Sequence, residues 1–246
     1  MLFALGVGSQ VVGDVSQTQF PPEAAKLPKV GGYATPDLEK VIALHPNLVV
    51  TLQEASSPKI IEPLERAGIK VAVFKTDRLA DLFQTVEALG AAVGQADSGR
   101  ALASRLKQEI QAASYRPPQH SAILRPRVLL LVQKRPFMVV SGHTFLGELV
   151  ELAGGENPFA RARLAYPTVG MEMILSARPD VILDFCMMSG WSEKSAQADV
   201  FWQNFSMLPA VANKTIYSLA IEDFLAGPRI AKALRRLVEL IHGHDN

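Results

Sequence analysis

Apolar positions along this chain follow two patterns that take turns. In residues 35–50, TPDLEKVIALHPNLVV, Leu38, Val41, Ile42 and Leu44 recur at helical spacing, and after Pro46 the run Leu48-Val49-Val50 is uninterrupted. The first pattern puts its side chains on one helical stripe, and the second suits a strand covered on both faces of a parallel sheet. Thr35 is the expected N-cap, with Pro36 at the first helical position, where its missing N–H costs nothing. The alternation continues with SPKIIEPLERAG as helix, IKVAVFK as strand and DRLADLFQTVEALGAAVG as helix. From Asp97 to Tyr115 the chain forms one long helical run without internal breakers, followed by the proline-rich exit RPPQHSAILRP. Strand RVLLLVQK, helix TFLGELVELAGG, strand TIYSL and the amphipathic helix RIAKALRRLVELIHG follow.

One unit is written twice. TVGMEMILSARPDVIL, Thr168 to Leu183, repeats the earlier stretch: a Thr, an apolar residue before Glu (Leu38-Glu39, Met171-Glu172), two apolar positions, and Pro46 or Pro179 before an apolar run. Strand and helix alternating on both sides of a long helix predict an α/β protein of two lobes: 1–95, a connecting helix over 96–116, and 117–246. A ligand cleft is expected between such lobes, outside the carboxyl ends of the strands.

Composition narrows the function. Of 246 residues, 48% are hydrophobic and 20% charged, so a core-bearing globular chain is expected. A net charge of +1 without a dense basic cluster leaves nucleic acid without an electrostatic footprint. The single cysteine, Cys186, excludes an internal disulfide and CxxC motifs. MLFALGVG is apolar but short, with no basic flank, so the sequence as given shows no signal peptide.

Catalytic signatures are missing: there is no P-loop, GxSxG elbow or HExxH, and GVGSQVVG carries Val11 where a dinucleotide loop needs its third small residue. His45, His120, His143, His242 and His244 are scattered, so no metal site is expected from them. What stands out is aromatic and thioether side chains near strand ends: Phe20, Tyr33, Tyr166, Met187, Met188, Trp191, and Phe224 beside Asp223. Such side chains suit a large flat ligand, with core packing as the competing role for each. Glu39 and Glu172 share a repeated structural position, which argues against a catalytic pair.

The ordered segments FPPEAAKLPKVGGYATPDLEKVIALHPNLVV, AGIKVAVF, LGAAVG, ELAGGENPF, YPTVGMEMILSARPDVIL and LPAVANKTIYSL…GPRI resemble the substrate-binding proteins of ABC importers for cobalamin, haem and iron-siderophores. The cobalamin-binding branch is the most similar. The resemblance implies two Rossmann-like lobes with parallel sheets joined by one long α-helix, no enzymatic activity and no cofactor. It implies a corrinoid held between the lobes and passed to an ABC permease with its ATPase subunits, by a periplasmic or membrane-anchored monomer. The membrane would be met only through the permease or a lost lipid anchor. The expected ligand wall is Phe20, Tyr33, Leu52, Phe137, Tyr166, Met187, Trp191, Asp223 and Phe224, and the permease-docking carboxylates are Glu54, Glu62, Glu193 and Glu222. Met1 stands inside the family's first helix, so the opening strand of the N-lobe is expected to be missing. Haem is the alternative ligand, with Tyr33 on its iron, and a ferric siderophore would use Lys134, Arg135 or Arg229. A cytosolic chelatase-like enzyme is the alternative from another class.

Overall fold

The computed structural model describes residues 1–117, 125–186 and 201–243. They form two compact units, residues 1–76 with 80–105, and residues 77–79 with 106–246. Helix α5, Ala96–Ala113, runs through the division, which falls inside it.

In the N-terminal unit, a turn of helix α1 (Pro22–Ala25) precedes helix α2 (Leu38–Ala43), strand β1 (Leu48–Leu52), helix α3 (Pro58–Arg66), strand β2 (Lys70–Phe74) and helix α4 (Leu79–Ala92). β1 and β2 pair in parallel, Leu48 opposite Lys70 and Leu52 opposite Phe74. The cap of α2 is Asp37, not Thr35: its carboxylate accepts from the Lys40 N–H at 3.2 Å. The start is delayed because Pro36 is held in an antiparallel bridge with Gly31, which keeps the preceding backbone extended. Val41, Leu64 and Ile69 form the buried centre, with Val30, Leu38, Ile42, Ile60 and Val71 around them. β1 is half-buried along its whole length, less covered than its apolar run predicts.

The C-terminal unit is built on five strands in the order β5-β4-β3-β6-β7, namely Thr168–Val169, Phe137–Val139, Val128–Lys134, Val181–Asp184 and Ile216–Ser218. β3, β6 and β7 are parallel, whereas β4 is antiparallel to both its neighbours, so this sheet is mixed rather than wholly parallel. The reason is local: Arg135-Pro136 turns the chain at the end of β3 and sends it straight back as a hairpin. Around the sheet lie α6 (Phe145–Leu152), α7 (Met171–Ala177), a turn of helix α8 (Pro209–Ala212) and α9 (Ile230–His242).

The first four residues of β3 and all of β6 are buried, as apolar runs in a covered sheet should be. Leu129, Leu131, Ile174, Ile182 and Trp202 form the core between sheet and helices. Each such side chain contributes about 1.5–3 kcal/mol relative to exposure. The repeated unit returns as α2–β1 and α7–β6. In both, the residue before the proline has a left-handed backbone, with φ 47 at His45 and φ 44 at Arg178.

Side chains close the end of α6. Arg125 donates to the carbonyls of Gly154 and Glu151 at 3.3 and 2.9 Å, and His242 Nε2 lies 2.8 Å from the Ala153 carbonyl. The His242 ring stacks on Tyr115, with centroids 3.7 Å apart and planes 4° from parallel. Within the same unit, Glu148 of α6 accepts from the Leu79 N–H and from Arg78 Nε, each at 2.6 Å.

Candidate functional site

At the carboxyl end of β1 the chain turns through Gln53–Ala55 and presents Glu54, exposed, 3.5 Å from the Tyr33 hydroxyl. Tyr33 is placed by Gln17, whose side-chain oxygen accepts from the Tyr33 N–H at 3.1 Å. Upstream, Ser16 donates to the Gly31 carbonyl through its backbone N–H at 2.8 Å and its hydroxyl at 3.0 Å. Lys29 Nζ reaches the carbonyls of Ala24 and Thr18 at 3.1 and 3.4 Å, tying the α1 turn that follows Phe20. Phe20 and Tyr33 are both exposed, at 54% and 40%. Burial raises the Tyr33 pKa above the ordinary tyrosine value, and the neighbouring Glu54 carboxylate raises it further.

In the C-terminal unit, β3 overhangs β6: Leu131 lies opposite Asp184, and β3 runs on to Lys134. From there Lys134 Nζ reaches back to Asp184 Oδ2 at 2.6 Å. Asp184 is wholly buried, and its other oxygen accepts from the Cys186 N–H at 3.0 Å. Burial raises the Cys186 thiol pKa well above its usual range, with the Asp184 carboxylate adding to the effect. The ammonium also lies 5.5 Å from the centroid of Phe201, which itself meets Phe137, Trp202 and Phe205 at 5.9, 5.0 and 5.8 Å between centroids. After β7, Asp223 pairs with Arg229 at 3.2 Å.

The expected wall residues divide. Phe20, Tyr33 and Leu52 belong to the N-terminal unit, Leu52 ending β1 and the two aromatics exposed, and Asp223 is exposed after β7 in the C-terminal unit. Phe137 starts β4 and packs partly buried against the core. Tyr166 is exposed at the sheet edge but stands level with Val140, because Pro167 and Ala165 accept from Val139 and Ser141, and not level with the hairpin tip.

Phe224 is a correction: it is 4% exposed and sets its ring edge-on against Phe185, because the 3-10 turn Ile221–Phe224 rotates it inward. Glu222 is half-buried in that same turn, with its Oε2 covered. Glu54 and Glu62 are exposed. Met187, Met188, Trp191 and Glu193 lie outside the described residues.

Sequence reasoning missed Phe201, Trp202 and Phe205, whose i, i+1, i+4 spacing in VFWQNF is the helical signal that reveals them. His143 precedes α6, exposed, its N–H donating to Ser141 Oγ at 3.2 Å. Among the described residues no three His, Cys, Asp or Glu side chains gather to hold a metal ion, and no helix is long and apolar enough to cross a membrane. A concavity of about 480 Å³ at the amino ends of β1 and β2 is lined by residues including Pro46, Leu48 and Lys70, and another of about 380 Å³ includes Arg127, Phe159 and Met173. Neither contains an expected wall residue.

Over residues 1–221 the chain matches the family described as periplasmic binding protein, and it belongs to that family. It is 27% identical over 238 residues to the vitamin B12-binding protein of Vibrio parahaemolyticus, spanning 97% of this chain and 82% of that one. The vitamin B12-binding protein of Pectobacterium atrosepticum is 25% identical over 240 residues, with 96% and 82% covered. Among solved structures, the periplasmic heme-binding protein BhuT in complex with two hemes superposes with a TM-score of 0.83 at 26% identity, covering 97% of this chain and 92% of that one. The periplasmic vitamin B12-binding protein BtuF of Vibrio cholerae has a TM-score of 0.76 at 24% identity, covering 98% and 91%, which shows a common fold. The family consists of binding proteins of transporters, so the chain is not an enzyme, and the chelatase-like alternative falls. Membership also implies a place outside the cytoplasm and a transporter permease as partner.

Proposed function

We propose that this chain captures a corrinoid on the carboxyl ends of its strands, as a monomer, and delivers it to an ABC permease driven by ATPase subunits. The observation that carries the assignment is that vitamin B12-binding relatives align over 97% and 96% of the chain. The surface chemistry agrees. Phe20, Tyr33 and Leu52 offer apolar faces to a bulky macrocycle, and the Tyr33 hydroxyl offers a polar atom for its amide-bearing edge. Glu54 and Glu62 remain the carboxylates for permease docking, where charge complementarity governs encounter.

The haem reading is supported by the likeness to BhuT. It needs the Tyr33 oxygen on iron as phenolate, and the carboxylate 3.5 Å away works against that ionisation. A ferric siderophore needs a cation facing an anionic chelate: Lys134 is held by the buried Asp184 and Arg229 pairs with the exposed Asp223, while Arg135 is exposed at the hairpin tip.

The test is a tryptophan-fluorescence titration of the full chain with cyanocobalamin and, separately, haemin. Saturable quenching by cyanocobalamin, with the same binding constant by calorimetry, is the expected result. Saturation by haemin alone, abolished in Tyr33→Phe, replaces the corrinoid with haem. Binding of neither by folded protein refutes both.

A further inference from the structure

The pair at the carboxyl edge of the C-terminal sheet bears on what charge a ligand there should carry. Lys134 ends β3 on a three-residue overhang, so its ammonium stands at the rim, with 23% of its side chain exposed. A lysine so placed is the natural partner for an anionic ligand. Its partner instead is Asp184, with no exposed surface, at 2.6 Å. For Lys134 to swing outward, it would have to leave that buried carboxylate without its counter-charge, which is strongly unfavourable. The contacts from Cys186 to Asp184, its N–H at 3.0 Å and its thiol, do not neutralise the carboxylate's charge. Nor does Phe201 at 5.5 Å, whose ring adds a second attraction holding the ammonium inward.

Resting on the reading that this edge faces the ligand, we propose that Asp184 is a specificity residue. By holding Lys134 it withdraws that cation from the edge, and it lowers the protein's preference for a ligand with net negative charge. Asp184 need not touch the ligand; it acts by positioning a cation away from it. Selection of this kind works through rejection: a carboxylate-bearing macrocycle loses hydration at the edge and finds Lys134 already paired.

The experiment compares wild type, Asp184→Asn and Asp184→Asn/Lys134→Met as full chains, titrated calorimetrically with cyanocobalamin, which is net-neutral, and with haemin, which carries two propionates. Asparagine keeps an oxygen for the Cys186 N–H while releasing Lys134. The expected result is a shift of the haemin-to-cobalamin affinity ratio by about tenfold towards haemin in Asp184→Asn, a typical effect of one freed charge at an interface. The shift should shrink in ~0.5 M salt, which screens exposed charges, and vanish in the double variant. An unchanged ratio in folded Asp184→Asn, or a shift that survives removal of Lys134, overturns the proposal.

If Asp184→Asn does not fold, the double variant decides, because its two positions are uncharged. A haemin affinity below wild type would mean that Lys134 already serves anions, and would overturn the proposal; the wild-type ratio would support it. Wild type that binds cobalamin, with no effect of Asp184→Asn, sinks this inference alone. Wild type that binds neither probe sinks the corrinoid reading with it.

Discussion

Replacing Gly154 with alanine tests how tightly the end of α6 is packed. Gly154 has φ +81, and a Cβ built on it would stand 2.3 Å from Tyr115 Cδ1 and 2.9 Å from His242 Nε2. The left-handed backbone alone costs an L-residue about 1–2 kcal/mol. The reduced entropy of the unfolded chain returns about 0.4–1 kcal/mol. The clash is the larger part. Tyr115 cannot retreat without leaving its stack on His242, and His242 cannot retreat without leaving the Ala153 carbonyl at 2.8 Å. Overpacking of this kind costs about 1–3 kcal/mol. The total for Gly154→Ala is about 3 kcal/mol, or about 6–12 °C in melting temperature for a chain of this size. The clash contribution is isolated by a double-mutant cycle with Tyr115→Ala in urea unfolding. Removing Tyr115 should recover about 1–2 kcal/mol of the glycine substitution's cost. Equal costs with and without Tyr115 would show that the ring moves aside freely, and would refute the reasoning.

Glu148→Ala removes the acceptor of the Leu79 N–H and one partner of Arg78, and should destabilise by about 1.5–3 kcal/mol in the same assay, a hydrogen bond to a charged group being the main loss. Glu151→Ala, an exposed side chain three residues on, should cost under ~0.5 kcal/mol. Cys186, held protonated by burial and Asp184, should resist iodoacetamide at neutral pH and react at once in urea; quick labelling of the native chain would contradict the raised pKa. Tyr33 should titrate above the ordinary tyrosine value by its ultraviolet absorbance, and lower in Glu54→Gln. Because the folded pKa is raised, the neutral phenol's contribution is complete below about pH 10 and is lost as pH rises through the folded value.

Long periodic runs were readable in the sequence because each spans several turns of one pattern: α3, α4, α5 and α9 fall where their stripes predict, and β3 and β6 where apolar runs occur. β4 and β5 were not, since three and two residues are too few to show a period, and the hairpin turns on a dipeptide. The aromatic positions of the N-terminal unit stood out because Phe20 and Tyr33 lie beside Pro and Gly turns instead of in a stripe. The other side was harder. EDF after β7 reads as an exposed loop, yet one tight turn sends Phe224 and a Glu222 oxygen inward. Pairings such as Lys134 with Asp184 join residues fifty apart, and only the register of β3 on β6 brings them together.

His45 and Arg178 have nothing in common as side chains, yet each turns the same left-handed corner between helix and proline. A comparison of the two halves letter by letter would pass over this position as a mismatch. Compared as shapes, it is among the places where they agree. The internal symmetry of this protein is thus partly a symmetry of backbone, kept at a corner where neither half uses the glycine that would make it cheapest. Installing glycine at either corner is therefore an edit the architecture should accept, and doing both at once would ask whether the two copies still tolerate change in the same way.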